Sequence, residues 1–507
     1  MGGVVAAGHP LSAEAGANAL RAGGNAVDAA IAAVLMSFVA EPTLTGPGSG
    51  GFMLIHTAAG VDHLLDFFVA APGRGLASIE PAELQPIDVY FADDAVQVFN
   101  IGPSSCGVYG TPAGLAEASR RFGSMPLAPL AEPAARAARE GVEVIPMQEF
   151  LFRILGPILR STPQAAELFE PGGRALRSGE RVVFAELGDL LERLGAEGPG
   201  FLYSGDGAAA ASAWVLERGG LLTEADLAAY EVIERAPARA RYLGRDVLTN
   251  PPPSSGGILI AYSLDLLERL GRQGDQRALV EVMDRANRAR TEEFTTALHS
   301  EGYLERFLAK DALESAAASV HSRLGSTTHV AVLDDAGACA SVTCSNGSSS
   351  GVVVPGTGLH LNNMLGEEDL NPHGYHRHEP GRRIPSMMAP TVVLSDGQAE
   401  LVVGSAGSNR LRSAILQTVL GVVGEGLAAQ DAVDRPRLHF EAGVVDAEPG
   451  VDPDALEALE RDGWHVRRWR ERNLYFGGVQ AAARDPQSGE LSGGGDPRRG
   501  GAAVVVA

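Results

Sequence analysis

The most constraining feature of this sequence is a pair of short β-branched segments in its C-terminal third. Residues 328–332 and 339–343 are apolar, small or β-branched, and an Asp-Asp-Ala-Gly stretch at 334–337 separates them. Such segments on either side of an Asp- and Gly-containing turn predict an antiparallel hairpin. We therefore expect a sheet in this region, with Thr327 at the opening of its first strand.

The remaining pattern alternates helices and strands. Helix-forming residues run from Ala13 to Ala40 with a Gly-Gly-Asn break at 23–25, and a glycine-rich loop then precedes an apolar strand at 52–56. Residues 112–270 are mostly helical in pattern, and the Pro-rich run 251–257 predicts a rigid turn. The other predicted elements are strands at 351–354, 391–394 and 401–404 and a helix at 411–426. This order predicts one compact mixed α/β body.

Charge and cysteine content exclude several classes of protein. The 507 residues include 41 basic and 63 acidic side chains, and the resulting charge of −22 disfavours a nucleic-acid partner. Cys106, Cys339 and Cys344 are too few and too scattered for a disulfide framework, and they contain no Cys-x-x-Cys pair for zinc. The apolar run 26–40 is interrupted by Asp28 and is too short to span a bilayer. We therefore expect a cytoplasmic protein that has no nucleic-acid or membrane partner.

Thr327 is a candidate nucleophile because of its position at the start of a strand. If the bond before it were cut, its own α-amine could take the proton of its hydroxyl. The pKa of an α-amine is about 7.7 to 8.0, so this amine is a better base at neutral pH than lysine. The string Ser326-Thr327-Thr328-His329, taken alone, is more typical of a surface turn.

Short strings along the whole chain resemble those of the γ-glutamyltranspeptidase family. The first is Gly-Gly-Asn-Ala-Val-Asp-Ala-Ala at 23–30, and the second is Glu-Pro followed by the glycine-rich loop and Gly-Phe-Met-Leu at 41–54. The later strings lie at 65–67, 251–257, 327–329, 355–358, 361–363, 404–407 and 496–498. The strings keep the order of the family and run from residue 23 to 498, so the resemblance covers nearly the whole chain.

The resemblance implies an N-terminal-nucleophile (Ntn) hydrolase, a four-layer αββα sandwich made from a precursor that cleaves itself. By analogy the cut falls between Ser326 and Thr327, leaving a large segment, 1–326, and a small catalytic segment, 327–507, associated as one compact domain. Thr327 attacks its own upstream carbonyl and afterwards the acyl donor, with its new amine as base. The implied partners are a small-molecule acyl donor and water or an amine as acceptor, without a cofactor or metal.

The other catalytic groups of the family correspond to three residues here. A second hydroxyl that assists the nucleophile corresponds to Ser345, which the hairpin returns to the side of Thr327. The oxyanion hole, a pair of backbone amides in the family, corresponds to Gly407 and Ser408. Because backbone N–H groups do the stabilising, a serine in place of the family's second glycine need not abolish the hole. A plain glycine turn before a helix has the same geometry.

The substrate positions depart from the family pattern where a charge is needed. Phe68 stands where the family has an arginine that binds the α-carboxylate of the γ-glutamyl group. The planar guanidinium of arginine donates two hydrogen bonds to a carboxylate, and an apolar ring cannot replace it. Met364 and Met387 replace two further polar residues. An unpaired carboxylate buried there would cost on the order of several kcal/mol. The candidates for a compensating cation are Arg382, Arg383 and Arg410.

The remaining substrate positions keep polar residues. Ser386 is the retained member of a serine pair, and Asn363 ends the Asn-Asn string. The acid that binds an amine in the family falls on Glu367, or on Glu368 if the loop shifts. Asn346 takes the place of the substrate-binding asparagine if a gap is allowed. Separately, His373, His376 and His378 have metal-like spacing, but the irregular loop favours solvated side chains.

Three functions stay open at this point. The first is transfer of a γ-glutamyl-type acyl group from an amide donor through Thr327 to water or an amine. The second keeps the fold and nucleophile but uses a non-γ-glutamyl donor or an intermediate of specialised metabolism, as the loss of the arginine suggests. The third is an uncleaved, inactive relative that only binds a small molecule. The intact set of Thr327, Ser345 and Gly407 argues against the third.

Overall fold

The computed structural model describes residues 1–78, 80–92, 95–272, 274–300, 302–309 and 327–507. Within these ranges two large antiparallel sheets pack face to face, with helices against both outer faces. This is the four-layer αββα arrangement that the family resemblance implies. Ser326, on the upstream side of the predicted cut, lies outside the described residues.

Each large sheet contains strands from both sides of residue 327. Strands are numbered in chain order. Across the first sheet, as described, the order is β22 (Ala502–Val506), β1 (Gly3–Ala7), β11 (Thr328–Asp334), β12 (Cys339–Ser345), β2 (Gly50–His56), β3 (Asp62–Phe67) and β8 (Ile233–Arg235). Across the second it is β21 (Leu491–Gly495), β20 (Gly478–Arg484), β16 (Gln398–Ala406), β15 (Thr391–Ser395), β10 (Arg245–Thr249) and β9 (Ala238–Tyr242). The strands of the two predicted segments are therefore interleaved in the first sheet and pair side by side, β10 with β15, in the second.

The remaining strands and the helices lie around these two sheets. The strands outside the two large sheets are β4 (Gln85–Ala92), β5 (Ala95–Ile101), β6 (Val142–Glu143), β7 (Arg181–Val182), β13 (Val353–Val354), β14 (Leu359–His360), β17 (Leu438–Glu441), β18 (Val444–Ala447) and β19 (His465–Arg468). Helices α1 (Pro10–Arg21) and α2 (Ala26–Ala40) cover the first sheet, and α11 (Ser255–Leu270) and α15 (Arg410–Val419) cover the second. The others are α3 (Thr111–Phe122), α4 (Leu127–Glu140), α5 (Pro146–Leu159), α6 (Pro163–Phe169), α7 (Ala185–Glu197), α8 (Gly200–Ser204), α9 (Asp206–Glu217), α10 (Glu224–Ala228), α12 (Gln276–Arg288), α13 (Glu292–Ala297), α14 (Tyr303–Ala309), α16 (Ala429–Asp434) and α17 (Pro453–Arg461). Of the helices in the described ranges, none has the length and apolar character to cross a lipid bilayer.

The central strands are apolar on both faces because each lies between two layers. In β11, Val330 and Val332 pack with the helices, whereas Ala331 and Leu333 pack against the second sheet. Successive side chains of a strand point to opposite faces. The same alternation directs Thr327, just before β11, toward the second sheet and its loops.

The hairpin and the N-terminal helices agree with the sequence prediction, whereas three other predictions differ from the structure. The segment expected to be mostly helical, 112–270, also contains β8, β9 and β10, which extend the edges of the two sheets. The Pro-rich run is more than a turn, because α11 already begins at Ser255. Only β13 forms within the strand predicted at 351–354. In each case pairing with a distant strand or packing between layers overrides the local preference.

Candidate active site

Thr327 and Ser345 lie beside each other where the two strands of the hairpin meet the pocket. Thr328 pairs with Cys344 in the antiparallel register, which places Thr327 opposite Ser345. Both side chains line a small pocket and are 5% and 2% exposed, respectively. Ser345 Oγ accepts the backbone N–H of Gly347 at 2.8 Å. The second hydroxyl therefore lies next to the candidate nucleophile, as the hairpin predicts.

The loop after β16 brings Ser408 to the same pocket, directly after Gly407. Gly407 has a φ of 117°, which favours glycine, and Ser408 has a φ of 49°, in the left-handed region. Ser408 lines the pocket. Within the part of the chain that the structure describes, neither amide donates a hydrogen bond. The loop thus carries two unused donors, of which that of Ser408 belongs to a residue of the pocket that contains Thr327, and their role as an oxyanion hole stays a prediction.

Asp369, which the sequence analysis did not single out, holds the loop that carries these amides. Ser408 Oγ donates to Asp369 Oδ2 at 3.2 Å, and Asn409 Nδ2 donates to the same oxygen at 3.1 Å. Burial raises the pKa of Asp369 to about 6, although the nearby Arg290 opposes the shift. Asp369 follows Glu367 by two residues, and the acidic run alone does not tell which of its members faces the pocket.

Ser408 offers a matched pair of variants that separates backbone strain from hydrogen bonding. Ser408→Ala keeps a Cβ at positive φ and loses the bond to Asp369, whereas Ser408→Gly loses the bond and also removes the strain. We expect the glycine variant to be more stable than the alanine variant by about 1 kcal/mol. Because both variants keep the backbone N–H at position 408 that is predicted to stabilise an oxyanion, the glycine variant should keep the parental kcat within a few-fold. Urea denaturation and steady-state kinetics measure the two effects, and equal stabilities would contradict the strain.

The side of the pocket expected to receive the acyl group is apolar. Phe68, Met364 and Met387 all line it, as do Leu370, Met388 and Leu411. Phe68 is buried, and its ring stacks on that of Phe52 with 5.3 Å between the centroids. Among the described residues, no basic side chain lines this pocket. The three substitutions noted in the sequence therefore cluster in one place.

The three arginines considered as compensating cations do not line the pocket. Arg383 is buried and bound to the carboxylate of Asp66 at 3.2 Å. Arg382 is exposed to solvent. Arg410 is buried at the start of α15, just after the loop of Gly407 and Ser408, with its guanidinium carbon 4.3 Å from the ring centroid of Tyr475. An arginine at position 410 is thus close to the site without contacting the pocket itself.

The acidic and amide candidates separate into pocket residues and supporting residues. Glu367 lines the pocket, whereas Glu368 is exposed, which favours the unshifted loop; the amine-binding role of Glu367 stays a prediction. Asn363 Nδ2 donates to Glu367 Oε1 at 3.0 Å and thus supports the acid from outside the pocket. Burial raises the pKa of Glu367 to about 7. Asn346 does not line the pocket either, because its buried side chain packs against Gly46.

Ser386 lines the pocket in a segment that the Pro-rich run supports. The carbonyl of Ser386 accepts the N–H of Ser255 at 2.8 Å. Gly256 approaches the carbonyl of Met387 so closely that any side chain at this position would clash. The family string at 251–257 therefore positions one wall of the pocket from the neighbouring helix α11.

A buried carboxyl lies behind the candidate nucleophile. Glu41, at the end of α2, accepts hydrogen bonds from Thr328 Oγ1 at 2.7 Å and from Ser12 Oγ at 3.2 Å. Burial raises its pKa to about 7, although these bonds and the charge of Arg499 oppose the shift. On the opposite face of β11, burial lowers the pKa of His329 to about 3, so this imidazole is neutral.

The raised pKa of Glu41 predicts a pH-dependent stability. Between about 4.5, the ordinary value, and about 7, the folded protein holds a proton that the unfolded chain has released. The free energy of unfolding therefore falls as the pH rises through this window, by about 3 kcal/mol from this group. Glu41→Gln should remove this part of the decrease in unfolding free energy with pH. Its free energy of unfolding should match that of the parent near pH 5. Parallel stability curves for parent and variant from pH 5 to 8, measured by urea denaturation, would contradict it.

The histidine loop does not converge on one point. His376 Nε2 lies 2.8 Å from the carbonyl of Ser104, and His378 Nε2 lies 3.3 Å from the carbonyl of Leu370. Within the described ranges, no group of three or more His, Cys, Asp or Glu side chains is arranged to hold a metal ion.

Comparison with known proteins identifies the family. The profile of the family described as Gamma-glutamyltranspeptidase matches residues 12–506. This chain belongs to the γ-glutamyltranspeptidase family. It is 32% identical to the acylase ACY 1 proenzyme of Pseudomonas sp. strain SE83, over 99% of this chain and 93% of that protein. It is 30% identical to the glutathione hydrolase proenzyme of Escherichia coli strain K12, over 98% and 90% of the two chains.

A solved structure shows the same relationship. The crystal structure of cephalosporin acylase from Bacillus halodurans superimposes with a TM-score of 0.83 at 28% identity, covering 99% of this chain and 95% of that one. The family resemblance and the Ntn-hydrolase fold are thus confirmed. The chain is an enzyme of the γ-glutamyltranspeptidase type, an acyl-transferring hydrolase with an N-terminal threonine nucleophile. Its relatives include glutathione hydrolases and acylases, so membership in the family leaves the acyl donor open.

Proposed function

We propose that this γ-glutamyltranspeptidase relative transfers an apolar acyl group, and not γ-glutamyl, from an amide donor to water or an amine. The observation that carries the proposal is the buried Phe68, which lines the pocket where the family has its carboxylate-binding arginine. A γ-glutamyl donor brings an α-carboxylate that requires a cation. Arg383, the buried arginine nearest in sequence to this wall, is already bound to Asp66.

The apolar lining supports the same donor class. Met364 and Met387 add flexible, polarisable side chains on the acyl side, and such residues adapt to alkyl and aromatic groups. The two pocket acids do not demand a charged donor either. Because burial raises the pKa of Glu367 to about 7 and that of Asp369 to about 6, a fraction of each is neutral near neutral pH. Relatives named acylases agree with a donor other than glutathione.

In the proposed mechanism Thr327 acts twice. Its hydroxyl first attacks the carbonyl of residue 326, and the resulting ester hydrolyses to free the α-amine of Thr327. In turnover this amine takes the hydroxyl proton as Thr327 Oγ attacks the donor carbonyl, and the amides of Gly407 and Ser408 stabilise the oxyanion. The leaving amine departs with the proton. Water or another amine then attacks the acyl-threonine ester and regenerates the enzyme.

Ser345 assists in this scheme from the neighbouring strand. Its position opposite Thr327 supports a hydrogen bond between the two hydroxyls during attack, which would orient the nucleophile. Association of segments 1–326 and 327–507 after cleavage is supported by their interleaved strands. We also propose a reducing, cytoplasmic setting, since Cys106, Cys339 and Cys344 are buried free thiols.

The donor class is tested by trapping the acyl group on the enzyme. Processed protein is mixed with a panel of anilides that carry γ-glutamyl, short alkanoyl, long alkanoyl or arylacetyl groups. Intact mass spectrometry of the segment that begins at Thr327 then identifies the ester that accumulates. We expect adducts from the apolar donors. A γ-glutamyl adduct formed as readily as the others would contradict the proposed donor while leaving the nucleophile in place.

A further inference from the structure

A second cavity, larger than the active-site pocket, lies outside the catalytic machinery. Its volume is about 550 Å³, within the range of small-molecule sites. Its walls are the loop 42–47, helix α6, the start of α7 and the hairpin of β13 and β14. None of the residues placed in the mechanism above lines it. The cavity therefore requires its own explanation.

The chemistry of the walls is apolar with acidic groups at the exposed rim. Phe38, Phe169 and Phe184 line it together with Leu187 and Val353. Glu167 and Glu186 also line it and are exposed. Among the described residues, no arginine or lysine lines this cavity. This combination suits a ligand that has an apolar body and a positive charge.

The histidine in this cavity contributes a neutral ring. His360 is tilted against Phe169 with 5.7 Å between the ring centroids, and its Nε2 is hydrogen-bonded to Ser349 Oγ. Burial lowers the pKa of His360 to about 4, so the ring carries no charge at neutral pH. The two glutamates are thus the acidic groups of the lining.

An unsatisfied buried amide lies next to this cavity. Asn346 is fully buried, and neither its Nδ2 nor its Oδ1 has a hydrogen-bond partner within the described residues. Its side chain packs against Gly46, which lines the second cavity. Buried amides without partners are rare in folded proteins, and this one lies behind the part of the cavity wall that Gly46 forms. This observation is independent of the shape and charge of the cavity.

We propose that the second cavity binds a small organic ammonium compound with an aromatic or alkyl body. The ammonium group lies between Glu167 and Glu186 at the rim, and the apolar body fills the space bounded by Phe38, Phe169 and Phe184. The site is separate from the donor pocket, since the segment from Ser345 to Ser349 runs between them: its start lines the pocket, and its end bonds His360 of the cavity. The assignment holds for whichever acyl donor the enzyme uses.

The test uses 2-phenylethylammonium as probe and 3-phenylpropionate as an anion of similar size. Isothermal titration calorimetry on the full purified protein should detect one equivalent of the cation and no binding of the anion. The double variant Glu167→Gln/Glu186→Gln, which changes exposed side chains only, should weaken binding of the cation by about tenfold. Glu192→Gln, on α7 but outside the cavity, is the matched control and should leave the affinity unchanged.

Two results would overturn the proposal. If the anion binds as well as the cation, the charge of the rim does not select the ligand. If the double variant binds the cation with unchanged affinity, the probe occupies another site, such as the pocket with Glu367 and Asp369. A third variant, Ala185→Arg, places a positive charge on an exposed lining residue without altering the buried wall. It should bind the cation more weakly than the parent does.

Discussion

Thr327→Ala is expected to leave the protein as one uncleaved chain of 507 residues without acyl-transfer activity. The same hydroxyl serves self-cleavage and turnover in the proposed mechanism, so its removal stops both. Loss of a catalytic nucleophile typically lowers the rate by about 10³-fold or more. A denaturing gel should show two fragments for the parent and one band for the variant. N-terminal sequencing of the smaller parental fragment should begin Thr-Thr-His.

Two neighbouring variants control for loss of folding. Thr327→Ser keeps a hydroxyl in place and should still be processed. Thr328→Ala removes the adjacent hydroxyl, which faces away from the pocket toward Glu41, and should also be cleaved. A mature, active preparation of the parent that remains one intact chain would show that the mechanism is wrong. Slow processing alone would not.

The second large effect concerns the choice of donor. We expect kcat/KM for a γ-glutamyl anilide to be about 10- to 100-fold lower than for an anilide with an unsubstituted acyl chain of the same length. A charged bidentate contact to the carboxylate is worth about 1.5–3 kcal/mol, and no pocket-lining cation in the described part of the chain supplies it. Initial rates of aniline release give both constants under identical conditions.

Substitutions at Phe68 connect this preference to one side chain. Phe68→Arg should raise the relative rate on the γ-glutamyl donor, although Met364 and Met387 keep the rest of the wall apolar. Phe68→Leu, which stays apolar, is the matched control and should not change the preference. Efficient turnover of glutathione by the parent would falsify the altered-donor proposal. Arg410→Ala would then test whether that buried arginine supplies the missing charge.

Several features of this protein could be predicted from the sequence because they depend on residues close together along the chain. The hairpin around 334–337 follows from turn chemistry and β-branched flanks, and its length alone brings Ser345 back to Thr327. The family strings extend the prediction to the αββα fold, the pocket position of Phe68 and the loop at Gly407. These strings contain glycines at positions where φ is positive or where another segment packs too closely to leave room for a side chain.

The tertiary structure alone decided which polar side chains reach the pocket. Glu367 and Asp369 line it while Glu368 is exposed, Arg383 is bound to Asp66, and Asn346 turns to Gly46. The sequence analysis placed Glu367, Glu368, Arg383 and Asn346 near the site without orienting them, and it did not single out Asp369. Their orientation depends on partners contributed by distant segments. A buried charged side chain adopts the orientation in which its partners offset the free-energy cost of its desolvation. That balance is reached only when both sheets are packed together.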